Sequence, residues 1–203
     1  MAAAIWDIIR EATCSSHSRL DTALAKLDLS FPVYYEGFLR SQAEALFPLE
    51  AALEAGGIES ILSDWDLRIR TPALQHDLAA LNITCHPQPA PGFTSEAQML
   101  GAVYVLEASR MSARVMLARL AENPDSEAMN ATAYLRHGFG KRFWPSFLSV
   151  LENHPAAQND PAGVVQGARI AFAMFESALI PLGNIVVDFP HASERSGYSP
   201  TPG

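Results

Sequence analysis

His17 and Arg10 lie seven residues apart. If the segment is helical, two turns bring them to one face, about 10 Å apart along the axis. Imidazole is the commonest protein ligand for transition metals, and a guanidinium forks onto carboxylates. The other five of the six histidines are poorer candidates: His86 and His154 precede prolines, His191 falls in the C-terminal tail, and His137 adjoins Gly138. His76 lies off the Leu74, Leu78, Leu81 stripe. His17 shares a face with Thr13, Leu20 and Leu24, and its imidazole is expected to turn into the interior. Taken singly, that position suits a core histidine with a hydrogen-bond partner as well as a metal ligand, and Arg10 suits a solvated side chain.

A third feature lies farther along. Between Gly101 and Met116, small residues at Ala108, Ser109, Ser112 and Ala113 strip one helical face of bulk over more than a turn. Such a face admits either a close-packed helix or a flat ligand. The 10 Å span between His17 and Arg10 is comparable to that from a haem iron to its propionate edge. A neutral imidazole on iron with a cation at the carboxylate rim holds haem by one face.

The elements that must position these residues read as helices throughout. Residues 3–27 carry apolar side chains at helical intervals. Ser30 is expected to cap a second helix with Pro32 early in it, ending at Gly56-Gly57. Thr71-Pro72 opens a shorter helix, and the proline-rich stretch from His86 to Gly92 forms a loop. Ser95-x-x-Gln98 resembles a capping box at the head of a third long helix running to Glu122. Residues 129–153 give two pieces broken around Gly138-Phe139-Gly140, and Asp160-Pro161 starts a last long helix ending near Leu179. No segment alternates with period two. The expected architecture is all-α, seven or eight helices in one bundle-like domain over residues 1–190, with 191–203 as a flexible tail.

Composition excludes several classes. The 203 residues carry 14 Lys+Arg against 22 Asp+Glu, a net charge of -8, which is the wrong sign for holding nucleic acid. Uninterrupted apolar runs such as Ile170 to Phe175 fall short of the ~20 residues of a membrane span, so none is expected. Residues 1–7 lack a basic segment followed by an apolar one, and the expected location is cytoplasmic. The two cysteines suit a reducing compartment. Cys14-x-x-His17 with Cys85-His86 makes a poor zinc set because the second pair is adjacent rather than spaced. His-Glu-x-x-His, Gly-x-Ser-x-Gly and a phosphate loop are all absent, as are the Glu-x-x-His pairs of a di-iron bundle.

Several segments resemble one family in order along nearly the whole chain. They are Arg10-Glu11-Ala12-Thr13-x-x-x-His17, Arg70 with Asp77-Leu78-x-x-Leu81, Tyr104-Val105-Leu106-Glu107-Ala108-Ser109, Tyr134 to Trp144, and Ala171-Phe172-x-x-Phe175. The family is the biliverdin-forming haem oxygenases of bacteria, especially the group that supplies chromophore to bacterial phytochromes. The resemblance implies the all-α haem oxygenase fold and haem as substrate and cofactor together. The ring is cleaved to biliverdin, carbon monoxide and iron with oxygen and electrons from a donor such as ferredoxin or a reductase. It makes His17 the iron ligand, sets Arg10 against one propionate, and lets Lys141 and Arg142 approach the other. It also puts Tyr104, Ala108, Ser109, Ser112 and Ala113 on the helix covering the opposite face of the ring.

Where the family usually reads Gly-Ser-x-Leu-Gly-Gly, this chain has Ala108-Ser109-Arg110-Met111-Ser112-Ala113. Each lost glycine adds a Cβ where the ring would approach backbone, and a kink becomes harder to make. Ser112 could instead donate a hydrogen bond over the ring. The alternative expectation is a protein of the same fold that holds haem, another tetrapyrrole or a protein partner without cleaving anything.

Overall fold

The computed structural model describes residues 4–122 and 127–184, and the expected tail 191–203 lies outside them. Among the described residues there is no strand. Nine α-helices occur in the order α1 (Ile5–Ala25), α2 (Pro32–Ala55), α3 (Trp65–Arg68), α4 (Thr71–Ala80), α5 (Glu96–Leu120), α6 (Ala133–Arg136), α7 (Phe143–Asn153), α8 (Pro155–Asn159) and α9 (Pro161–Leu179). The long helices fall where apolar periodicity placed them. The expected count of seven or eight is exceeded because α3, α6 and α8 are each only four or five residues long, too short to show a period.

Helix starts depend on partners both near and remote. Ser95 Oγ accepts from Gln98 N at 3.3 Å, and Gln98 Oε1 accepts from Thr94 N at 2.8 Å, a variant of the expected capping box. Asp160 Oδ1 accepts from Gly163 N at 2.8 Å to start α9. Ser30 does not cap α2: its hydroxyl donates to Asp28 at 2.6 Å, Phe31 holds the N-cap position, and Pro32 sets the first turn. The N-terminus of α4 is satisfied from a distance. The Glu50 carboxylate on α2 accepts from Arg70 N at 2.9 Å and from Thr71 N and Oγ at 2.9 and 2.7 Å. Likewise Glu152 on α7 accepts from Ile5 N and Trp6 N at the head of α1, at 3.0 and 2.7 Å.

The centre of the molecule is α9, which touches α1, α2 and α5. Its crossing with α5 is set by two glycines. A Cβ on Gly101 would come within 1.9 Å of Val164 O, and one on Gly167 within 1.8 Å of Gln98 O, so the two backbones lie in direct contact. The segment Pro161–Leu182, with mean hydropathy 1.3, is long and apolar enough by composition to cross a membrane, contrary to the expectation from uninterrupted runs. It passes that test because α9 is apolar on the faces it buries against three helices.

Both α1 and α5 rest on α9, and a groove opens between them. On α1, Ile5, Ile9 and Thr13 are buried, and beyond Thr13 no residue of the helix is. From that point α1 serves as a wall of the groove rather than as packing.

Candidate functional site

The outer groove has a volume of about 710 Å³, within the range of roughly 300 to 1,000 Å³ common for small-molecule sites. Arg10, Thr13, Cys14 and His17 of α1 face Tyr104, Ala108 and Ser112 of α5 across it. The inner end narrows to a cavity of about 60 Å³ among Leu24, Phe38, Val105, Phe172 and Phe175. His17, Asp21, Ala108 and Ser112 line both parts, so the histidine sits where the polar mouth passes into the apolar interior.

The imidazole is not enclosed by packing as the helical pattern suggested. His17 is 47% exposed, because α1 has left the core by this point. Its Nδ1 lies 2.9 Å from Asp21 Oδ2, one turn on, and its ring meets Phe172 edge-on at 6.0 Å. A carboxylate on Nδ1 fixes the tautomer and presents Nε2 as the ligating nitrogen, an arrangement typical of metal-bound histidines. Asp21 was legible as the i+4 neighbour of His17, but sequence reasoning assigned it no role.

Arg10 lines the mouth, with its guanidinium 5.0 Å from the Trp6 ring centroid and 3.2 Å from Asp7. Tyr104 is buried against Trp144, ring centroids 5.7 Å apart. Burial raises its phenol pKa, opposed in smaller measure by the Arg10 charge. Ala108 and Ser112 present their small side chains to the groove, not to another helix, and Ala113 lines the inner cavity. Ser109 faces the same cavity, but its Oγ is engaged: it donates to Leu106 O at 2.8 Å and accepts from Arg70 Nη1 at 3.0 Å.

Lys141 and Arg142 are placed differently. They line a neighbouring cavity of about 280 Å³ with Arg110, Arg114 and His137, which shares Met111 and Trp144 with the outer groove. Arg110 saturates its donors there, on Glu107 at 3.0 Å, on Arg68 O and on His137 Nδ1 at 2.9 Å. Burial, then the Arg110 and Arg70 charges, lowers the His137 pKa to about 4. Cys14 is on the groove, Cys85 is not, and among the described residues no cluster of three or more metal-binding side chains occurs.

Sequence reasoning assigned no roles to the polar groups behind the inner cavity. Gln42 of α2 and Tyr134 of α6 both line it, with Tyr134 donating to Gln42 Oε1 at 2.9 Å. Arg70 lies behind them. Tyr134 and Arg70 fall in segments that carry the family resemblance, whereas Gln42 meets a partner 92 residues away and left no local signal.

Comparison with known proteins agrees with this geometry. The haem oxygenase family model matches residues 89–179, which is α5 to α9 and does not include His17. A curated haem oxygenase from Xanthomonas campestris pv. campestris (strain 8004) is 30% identical over 146 residues, covering 71% of this chain and 88% of that one. The fold also matches a crystal structure of NO- and CO-bound haem oxygenase from Neisseria meningitidis. There the TM-score is 0.75 at 18% identity, over 93% of this chain and 96% of that one. With an all-helical chain folded around a His17 groove, and a relative matched along most of its length, this protein belongs to the haem oxygenase family.

Proposed function

We propose that the chain is a haem oxygenase that binds haem as its substrate in the α1/α5 groove, with His17 on the iron. The carrying observation is the placement of the His17–Asp21 pair at the polar-to-apolar junction of the groove, opposite the small side chains of Ala108 and Ser112. The residues present suit the ring. One imidazole with a fixed tautomer faces a low wall, apolar side chains line the inner end, and Arg10 stands at the mouth for a carboxylate. When bound, haem supplies the iron that activates oxygen and the ring carbon that is oxidised.

The protein's own groups bind, orient and exclude water. Asp21 holds the imidazole plane, and Phe172 limits its rotation. Phe38, Val105 and Phe175 cover the inner edge and keep bulk water from it. Ser112 can donate a hydrogen bond on the α5 side, where Ala108 and Ala113 cannot. The resemblance further supports biliverdin, carbon monoxide and iron as products, a ferredoxin or reductase as electron donor, and a phytochrome as client.

A second reading, haem binding without cleavage, is favoured by one feature. From Ala108 to Leu120 α5 contains no glycine, so the wall facing the ring carries Cβ atoms at 108, 112 and 113. Titration with haemin, in wild type and His17→Ala, followed by ascorbate or a ferredoxin system under air, separates the two. Active cleavage gives a His17-dependent Soret band that disappears once electrons are supplied. A band that persists through many equivalents of donor establishes the binding protein, and no band at all removes both readings.

A further inference from the structure

Arg70 is 2% exposed, yet no carboxylate of the described residues pairs with its guanidinium. The nearby acids are committed elsewhere. Glu50 accepts from the backbone of Arg70 and Thr71, Asp77 from Ala133 N and Tyr134 N, and Glu107 from Arg110 and Arg68. The guanidinium instead meets neutral oxygens: Ser109 Oγ at 3.0 Å, Tyr134 Oη at 3.4 Å and Leu106 O at 3.1 Å. Its buried Nε has no acceptor at all. A buried cation without a counter-ion costs the fold stability, and replacing one with an apolar side chain of similar volume is often neutral or stabilising. The fold itself does not need this charge: Leu106 O keeps the Ser109 hydroxyl as a donor.

The charge does reach the groove. Ser109, Tyr134 and Gln42 all line its inner cavity. Arg70 donates to the first two, and Tyr134 passes its own proton to Gln42 Oε1, which leaves the Gln42 Nε2 amide, without a partner among the described residues, as the donor end. We propose that Arg70 is a positioning residue that makes this wall electropositive through Ser109, Tyr134 and Gln42. A ligand carrying negative charge on the α5 side of a bound ring is thereby favoured over a neutral one. The inference rests on the haem reading above and adds to it a source of electrostatic preorganisation in a site that excludes water.

The test compares azide binding to the haemin-loaded ferric protein with carbon monoxide binding to the dithionite-reduced form, in wild type, Arg70→Met, Arg70→Lys and Tyr134→Phe. The expected result is azide affinity weakened about tenfold or more in Arg70→Met and by less in Tyr134→Phe. Carbon monoxide affinity is unchanged throughout, Arg70→Lys stays near wild type, and the ligand-free Arg70→Met protein melts no earlier than wild type. Azide affinity that is unchanged in Arg70→Met, or that falls in step with carbon monoxide affinity, overturns the proposal. If Arg70→Met does not fold, Tyr134→Phe decides: an unchanged azide-to-carbon-monoxide ratio overturns it there. Absence of a His17-dependent Soret band overturns the haem reading and this inference together, whereas a normal band with unaltered azide selectivity overturns the inference alone.

Discussion

The two halves of α5 obey different rules. From Ala97 to Glu107 every residue is buried, and Gly101 allows the helix to touch the α9 backbone. From Ala108 to Leu120 only Ala113, Met116 and Leu120 are buried, while Met111 and Val115 are 60% and 56% exposed. Small residues in the first half bring backbones together. In the second half they stop short of any helix and leave a groove. The same residue types thus do opposite work within one helix, and what separates them is whether another helix lies opposite.

The most disruptive way to probe that contrast is Gly101→Ala. Its Cβ would fall 1.9 Å from Val164 O, and overpacking of rigid backbone is expected to cost about 3 kcal/mol or more. A urea or thermal melt within error of wild type would show that the crossing is not held by the glycine. Asp21→Asn addresses the groove side. It leaves the packed half untouched and, by loosening the His17 imidazole, should weaken haemin binding about 10- to 100-fold with little change in melting temperature. Equal affinity in the two proteins would mean that the carboxylate does not set the ring nitrogen.

Ser112→Gly combined with Ala113→Gly sharpens the comparison further, because it restores the low wall that relatives build with glycine. Each substitution places a flexible residue inside a helix, at a cost of roughly 0.5 to 1 kcal/mol, while haemin affinity and turnover should both rise. If neither changes, the added Cβ atoms do not crowd the ring.

The smallest effect is expected at the junction between the halves, where Arg110 donates to His137. The His137 pKa lies near 4 in the folded protein and 6.5 when unperturbed. Between those values the unfolded chain binds the extra proton, so stability declines as pH falls from about 6.5 towards 4. His137→Gln should flatten part of that decline in melts recorded across the window. A profile identical to wild type would show that protonation of this ring is not linked to folding.

Much of this protein is legible without coordinates. The apolar periods of α1, α2, α5 and α9, the Ser95 and Asp160 caps, and the glycine break at 138–140 are local properties, and each is found where its residues place it. His17, Arg10 and Ala108 stood out for the same reason, since helical geometry turns spacing into direction.

What the chain order could not decide is which side of each helix finds a neighbour. His17 shares the apolar stripe of α1, yet it is half exposed because the stripe outlasts the contact with the core. Lys141 and Arg142 follow the 138–140 break in sequence but line the adjoining cavity. The inner wall brings Gln42, Arg70, Ser109 and Tyr134 together from α2, the residue before α4, α5 and α6. Contacts between groups so far apart along the chain exist only once the helices have packed, and local spacing carries no record of them.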